Sequence, residues 1–178
     1  MANVIIRSAG QGDASAIASI HVQSWRDAYA SLLEPEFLRG PIEAERLSHW
    51  TEMFASRRPG QVLEVAEDQD HRLVGFVCAL SDADPQLGSR VDNLHVLPSL
   101  RGQQIGERLL REAARRLREE ARLSSLHLWV FETNEKAIRF YLRLDGKIVA
   151  KDVSRIPAAG RKPVVCIHWT TLTRLAGL

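Results

Sequence analysis

The sequence predicts a mixed α/β fold, a mostly antiparallel sheet of about seven strands with helices on both faces. Three observations carry that expectation. Short apolar runs of strand length alternate with segments of helical periodicity along the whole chain. Residues 90–131 form a strand–helix–strand unit, which makes a parallel pair with a right-handed crossover. The runs on either side of that unit look antiparallel, two of them joined by a short polar turn. No repeat or low-complexity linker interrupts the 178 residues, so a single domain over residues 1–178 is expected.

Taken in order, residues 4–7 read as a short strand, and Asp13 stands where an N-cap would open a helix carrying Ile17, Ile20 and Trp25. Pro35 and Pro41 open two further helical pieces, the second running to about Arg57 with Leu47, Trp50 and Phe54 at helical spacing. Pro59 and Gly60 end that half. Residues 62–67 and 73–80 are two strands joined by the polar turn Asp68-Gln69-Asp70-His71, a hairpin signal. A loop over residues 81–89 leads to a strand at 90–97. A long helix from about Gln104 to Ala121 buries Ile105, Leu109, Leu110, Ala113, Ala114 and Leu117. Residues 126–131 are a strand, 134–144 a helix stopped by Gly146, and strands near 147–153 and 163–171 close the chain.

Composition narrows the partners. A net charge of +2 is too slight to imply nucleic acid. The most basic stretch, residues 101–122, holds seven Arg against four Glu. Most of these pair at i, i+4 (Glu107 with Arg111, Arg108 with Glu112, Glu112 with Arg116, Arg115 with Glu119, Arg116 with Glu120), as on a solvated helix face. Cys78 and Cys166 sit in apolar strand-like runs and read as buried reduced thiols. The six histidines are scattered, with no metal-ligand spacing. No stretch reaches the roughly 20 apolar residues of a membrane helix, and no signal-peptide pattern follows Met1. The expectations are a cytoplasmic protein with no metal, no nucleic-acid partner and no membrane partner.

The chemistry points to residues 93–106, Asn-Leu-His-Val-Leu-Pro-Ser-Leu-Arg-Gly-Gln-Gln-Ile-Gly. A strand ends, Pro98 forces a loop, and a helix begins between small residues. The first turn of a helix leaves about four N–H groups unpaired and carries a partial positive charge. Gly102 and Gly106 have no Cβ to keep a bulky anion away, and Arg101 adds a full charge. Such a segment can seat a pyrophosphate. The spacing fits neither a P-loop nor a dinucleotide fingerprint.

The same stretch resembles the signature of the GNAT N-acetyltransferase family, in which Gln/Arg-x-x-Gly-x-Gly/Ala follows a strand ending in Leu-x-Val-x-Pro. Leu94, Val96, Pro98, Arg101, Ile105 and Gly106 match; Gln104 stands at the usual first glycine, where a helical φ would accommodate it. Asn134, Ala137, Phe140, Tyr141 and Gly146 resemble the family's Asn-x-x-Ala-x-x-Phe-Tyr…Gly segment. Arg7, Ala9, Asp13 and Ala14, with the stretch from His21 to Leu33, are similar to one branch of it.

The resemblance implies an N-acetyltransferase using acetyl-CoA as cosubstrate, by direct attack of an amine within a ternary complex. It implies that the strand before the phosphate loop splays from the next parallel strand, so that pantetheine pairs with the edge at Leu94, His95 and Val96. The cofactor would be held by Leu94, His95, Val96, Arg101, Gly102, Gln103, Gln104, Ile105, Gly106, Asn134 and Tyr141. Tyr141 would protonate the departing thiolate. Asn134 serves equally well as a plain helix cap. A primary amine is only about 0.1% neutral at pH 7.4, so its proton must go to a base or a water chain. Asp92, His95 and Glu132 are candidates for that role. Trp25 and Tyr29, with loops 81–89 and 155–163, would wall the acceptor, and Trp25 serves equally as core. Glu34, Glu36, Asp82 and Asp84 suggest a small cationic primary amine. A homodimer is compatible with all of this. The competing readings are a catalytically silent acyl-CoA-binding regulatory module and a nucleic-acid binder using the arginine helix.

Overall fold

The computed structural model describes residues 3–120, 122 and 124–177. In chain order the elements are β1 (Ile5–Ser8), α1 (Ala14–Ala28), α2 (Pro35–Arg39), α3 (Ile42–Ala55), β2 (Gln61–Glu67), β3 (Leu73–Asp84), β4 (Gly88–Val96), α4 (Ile105–Glu120), β5 (Leu126–Phe131), α5 (Glu135–Arg143), β6 (Lys147–Val153), β7 (Pro163–Trp169) and α6 (Leu172–Leu175). One sheet holds all seven strands in the order β1-β2-β3-β4-β5-β7-β6. Only β4 and β5 run parallel; every other neighbour is antiparallel. This is the expected architecture.

Alternation along the strands feeds two faces. Val77, Val91, Val96, Leu128, Val130, Val165 and Ile167 point to one side, where α4 lays its stripe and Tyr141 and Leu144 join from α5. The stripe is Ile105, Leu109, Leu110, Ala113, Ala114 and Leu117, none more than 1% exposed. Each large member contributes about 1.5–3 kcal/mol by leaving water. Leu63, Val65, Phe76 and Cys78 point to the other side, under Ile17 and Ile20 of α1 and Trp50 of α3. Phe131 and Val164 lie on that side too, under Val22, Trp25, Leu38 and Ile42.

Several expectations need correction. Asp13 does precede α1, but its carboxylate caps no helical N–H. It accepts two hydrogen bonds from the Arg7 guanidinium at 2.8 and 3.0 Å and one from Gly10 N–H at 2.8 Å. The 81–89 loop is mostly strand: β3 runs on to Asp84 and β4 starts at Gly88, so the two form a hairpin with a tight turn. Leu47 is exposed, because α3 buries only Ile42 and Trp50 fully. On α4 the pairs Glu107–Arg111 and Arg115–Glu119 form. Arg108 instead donates to the Val4 carbonyl, and Arg116 faces Glu64 at 3.5 Å. The expected helix end at Ala121 lies outside the described residues. Both cysteines are buried and free.

Candidate active site

The site begins as a gap in the sheet. β4 and β5 pair only at Ser89–Leu126 and Arg90–His127, and then part. Beyond those two rungs β4 stays paired to β3 and β5 to β7, so each presents one open edge to the other. A β-bulge at Asp92 breaks the β3–β4 register, with Cys78 opposite Asn93 and Ala79 opposite Val91. Bulges bend a strand and sharpen its twist, which turns β4 away from β5.

At the far end of the gap Leu97 N–H returns to the Val74 carbonyl, Pro98–Leu100 make one 3-10 turn, and α4 starts. The first helical bond is Arg108 N–H to the Gln104 carbonyl. From Gly102 to Glu107, six consecutive backbone N–H groups have no acceptor among the described residues. Gly102 has φ +80° and nothing within 4 Å of where a Cβ would stand. A Cβ at Gly106 would meet Val96 Cγ2 at 3.7 Å and Phe140 Cζ at 3.8 Å, ordinary contacts. Gly102 is accounted for by its left-handed backbone, whereas neither backbone nor packing demands the glycine at 106. Gln104 corrects the expectation of a helical φ: it sits at φ +64°, the left-handed region that favours glycine. Arg101, half-exposed above the loop, is ion-paired with Asp27 in the last turn of α1.

Two tyrosines flank the gap. Tyr141 comes from α5 and packs edge-on against Trp169 at 6.0 Å. Its hydroxyl has no hydrogen-bond partner among the described residues. Burial pushes its pKa well up, and the nearby Tyr29 pushes it further. Tyr29, from the C-terminal end of α1, packs edge-on to Phe131 at 5.0 Å; burial raises its pKa to about 12 against the opposing pull of Arg101. Both phenols keep their protons at neutral pH. Asn134 caps α5, accepting Ala137 N–H at 3.3 Å, and its amide NH2 has no acceptor among the described residues.

On the α1 face His95 stacks on His21 (centroids 4.6 Å) and Phe76 (5.3 Å). Burial, with the Arg101 and Arg46 charges behind it, holds His95 down to about 3. His21 is fully buried. Its Nδ1 accepts the Trp50 Nε1–H at 3.1 Å, so the ring proton is on Nε2, which has no partner among the described residues. Burial keeps His21 neutral as well. Ser24, one turn along α1, donates to the Val96 carbonyl at 3.3 Å and ties that helix to the end of β4.

Asp92 is exposed at the bulge beside Arg90, and Glu132 lies just past β5, held by Lys151. Trp25 is only 7% exposed, under Arg46, and is core more than wall. The β6–β7 connection closes over α2: Ala158 accepts Glu34 N–H at 3.3 Å, and Ala159 packs beside Leu33 and Leu38. That connection borders an open pocket of about 430 Å³ lined by Ser154, Arg155, Ile156 and Arg161. Asp82 and Asp84 fall elsewhere, on the hairpin at the paired end of β4, at the opposite end of that strand from the loop that leads into α4. Asp82 accepts Arg122 N–H at 2.9 and 3.1 Å, and Asp84 accepts Gln86 and Leu87 N–H at 2.8 Å each. They hold turns and do not line the gap.

Sequence reasoning did not single out Ser24, Asp27 or His21 for the site, nor the bulge at Asp92. No periodicity distinguishes them: α1 must bury the side that carries His21 and Ser24 in any case, and Asp27 reads as an ordinary exposed acid. No group of three or more metal-ligating side chains, and no helix long and apolar enough to cross a membrane, occurs among the described residues.

A strand pair that parts, followed by a glycine-bearing loop and a helix with bare N–H groups, is an arrangement that can take an extended chain along the strand edge and an anion at the helix. The family model of the acetyltransferase (GNAT) family matches residues 22–146. The chain belongs to that family, and as an enzyme it is an N-acetyltransferase. It is 28% identical to the uncharacterized N-acetyltransferase YuaI of Bacillus subtilis over 177 residues, 98% of each chain. In fold it is similar to the PaiA N-acetyltransferase of Thermoplasma acidophilum in complex with coenzyme A, with TM-score 0.74, 19% identity, and 94% of this chain and 99% of that one covered. YncA of Salmonella typhimurium, with its cofactor acetyl-CoA, gives TM-score 0.69 and 16% identity over 96% and 95% of the two chains.

Proposed function

We propose that the chain, acting as one domain, transfers an acetyl group from acetyl-CoA to a small primary amine by direct attack in a ternary complex. The observation that carries this is the gap between β4 and β5 ending on six unpaired N–H groups. The open edge of Leu94, His95 and Val96 offers backbone partners to an extended amide-bearing chain. The N–H groups of residues 102–107, with Arg101, offer partners to its phosphates. Gln103, Gln104, Ile105 and Gly106 lie along that turn, and the Asn134 NH2, which has no acceptor among the described residues, could donate to the same ligand. Acetyl-CoA supplies the acetyl group as an activated thioester.

The chain's own residues then do three things. A backbone N–H on the β4 edge polarises the carbonyl under attack. Tyr141, protonated and without a competing partner, gives its proton to the thiolate as it leaves. The raised pKa of the phenol does not prevent this, because a thiolate in the same dry gap is raised too. The amine must also lose a proton. His95 is neutral but too weak a base to retain one, so it can only pass protons along. Asp92, on the same face and freed from the β3 ladder by the bulge, receives the proton through water. Glu132 is ion-paired with Lys151 just as Asp92 is with Arg90, so what favours Asp92 is its place at the bulge on the His95 side of β4.

A small acceptor is the reading we favour because Tyr29 and Phe131 pack against each other beside the gap and the β6–β7 connection lies over α2 next to them. The test is a thermal-shift titration with acetyl-CoA, followed by thiol release with polyamines, amino acids, aminoglycosides and lysine peptides. A shift with thiol release on small amines is expected. Peptides outperforming every small amine would overturn the acceptor class. A shift without transfer to any amine would leave a silent acyl-CoA-binding module. RNA or DNA binding with no response to acetyl-CoA would overturn the reading altogether.

A further inference from the structure

The ion pair between Asp27 and Arg101 joins the last turn of α1 to the phosphate loop, across 74 residues of sequence. Helix physics does not ask for an acid there. The C-terminal turn of a helix carries partial negative charge, so a carboxylate in it is disfavoured. Both partners are 40–50% exposed, and an exposed pair contributes little to stability. The Arg101 charge reaches into the site: beside the larger effect of burial, it helps lower His95 and opposes the rise of Tyr29. Asp27 thus neutralises the one full positive charge at the loop that must meet an anion. Ser24, three residues earlier on α1, donates to the Val96 carbonyl and holds that end of the helix beside the end of β4, which keeps the Asp27 backbone within reach of Arg101.

Resting on the cofactor reading above, we infer that Asp27 is an internal competitor for Arg101, standing in for a cofactor phosphate in the free enzyme and limiting how tightly coenzyme A is held. When the phosphates arrive, Arg101 exchanges one carboxylate for them, and Asp27 is left as a nearby negative charge that weakens the complex. On departure the carboxylate recaptures Arg101. Asp27 is a positioning residue, acting through Arg101, and its effect falls on product release as much as on binding.

The test is calorimetric titration of coenzyme A into the full chain and its Asp27→Asn and Asp27→Ser variants, at 25 and 500 mM NaCl. A unit charge a few ångströms from a phosphate predicts roughly fivefold tighter binding for both variants at low salt. The gain shrinks at high salt, because exposed charges are screened. In an Arg101→Gln background the Asp27 substitution has little left to relieve, and most of the gain disappears. Stopped-flow release of coenzyme A slows in parallel. Unchanged or weaker binding in both variants overturns the inference and makes Asp27 an aid that aims Arg101. A gain that persists in full with Arg101→Gln also overturns it, in favour of plain charge repulsion. If wild type and variants alike fail to bind coenzyme A, it is the cofactor reading that fails.

Discussion

Gln104 is the residue on which the phosphate loop can be tested most directly. It holds φ +64° one residue before α4, where the family pattern has glycine. A non-glycine residue in the left-handed region costs about 1–2 kcal/mol. Glycine removes that strain but brings about 0.4–1 kcal/mol of extra freedom to the unfolded chain. Gln104 is exposed and its side chain makes no hydrogen bond among the described residues, so nothing else is lost. Gln104→Gly should therefore stabilise the protein by about 0.5–1 kcal/mol, which in a chain of this size raises Tm by roughly 1–3 °C. Urea unfolding of the free protein gives the free energy, and Gln104→Ala is the control: it keeps the backbone penalty and should move stability by less than about 0.5 kcal/mol. If glycine destabilises, or if alanine gains as much, the loop is not strained at this position and the reasoning is wrong.

Three further perturbations follow from the same geometry. Gly106→Glu sets a carboxylate among the bare N–H groups while its Cβ meets only ordinary contacts, so the fold should survive and the acetyl-CoA thermal shift vanish; a full shift would place the phosphates elsewhere. Tyr141→Phe should lower kcat by up to about 10²-fold with little change in KM for acetyl-CoA, since the hydroxyl acts on the leaving thiolate; an unchanged kcat would make Tyr141 a packing residue. His95 and His21 are both held neutral when folded, so the unfolded chain binds protons first as pH falls below about 6.5. Stability should be complete above that pH and fall by about 1.4 kcal/mol per histidine per pH unit towards the folded value near 3 for His95. Urea midpoints at pH 7.5, 6.0 and 5.0 measure the slope, and His95→Phe should make it shallower; an unchanged slope would refute the assignment.

What the sequence made legible is what periodicity encodes. The α4 stripe and the limits of β5 were visible because apolar spacing alone sets them. The phosphate loop was visible because strand, proline, arginine and glycine fall in an order with few other uses. The 81–89 segment misled, because polar Ser81, Asp82 and Asp84 can lie in a strand when it extends past the sheet's covered part. Asp13 looked like a cap because caps and ion pairs use the same residue type; Arg7 decides between them, and only the fold brings it there. The left-handed turn at Gln104, the bulge at Asp92 and the Asp27–Arg101 pair have no periodic signature at all. Each depends on how distant segments meet.

The two rungs between β4 and β5 have a mechanical meaning. Four strands lie on one side of them and three on the other, so the sheet is a pair of plates on a short hinge, with α4 packed behind the four-stranded plate. Most sheets are strongest in the middle, where every strand is laced on both sides; this one is unlaced there over most of its length. In the binding mode proposed above, a molecule lying along the seam would supply the missing stitching, and its binding energy would become part of what keeps the plates in register. The durability of the folded chain would then be coupled to the supply of that ligand, and amide exchange along the open edges of β4 and β5 would report how well the seam is closed.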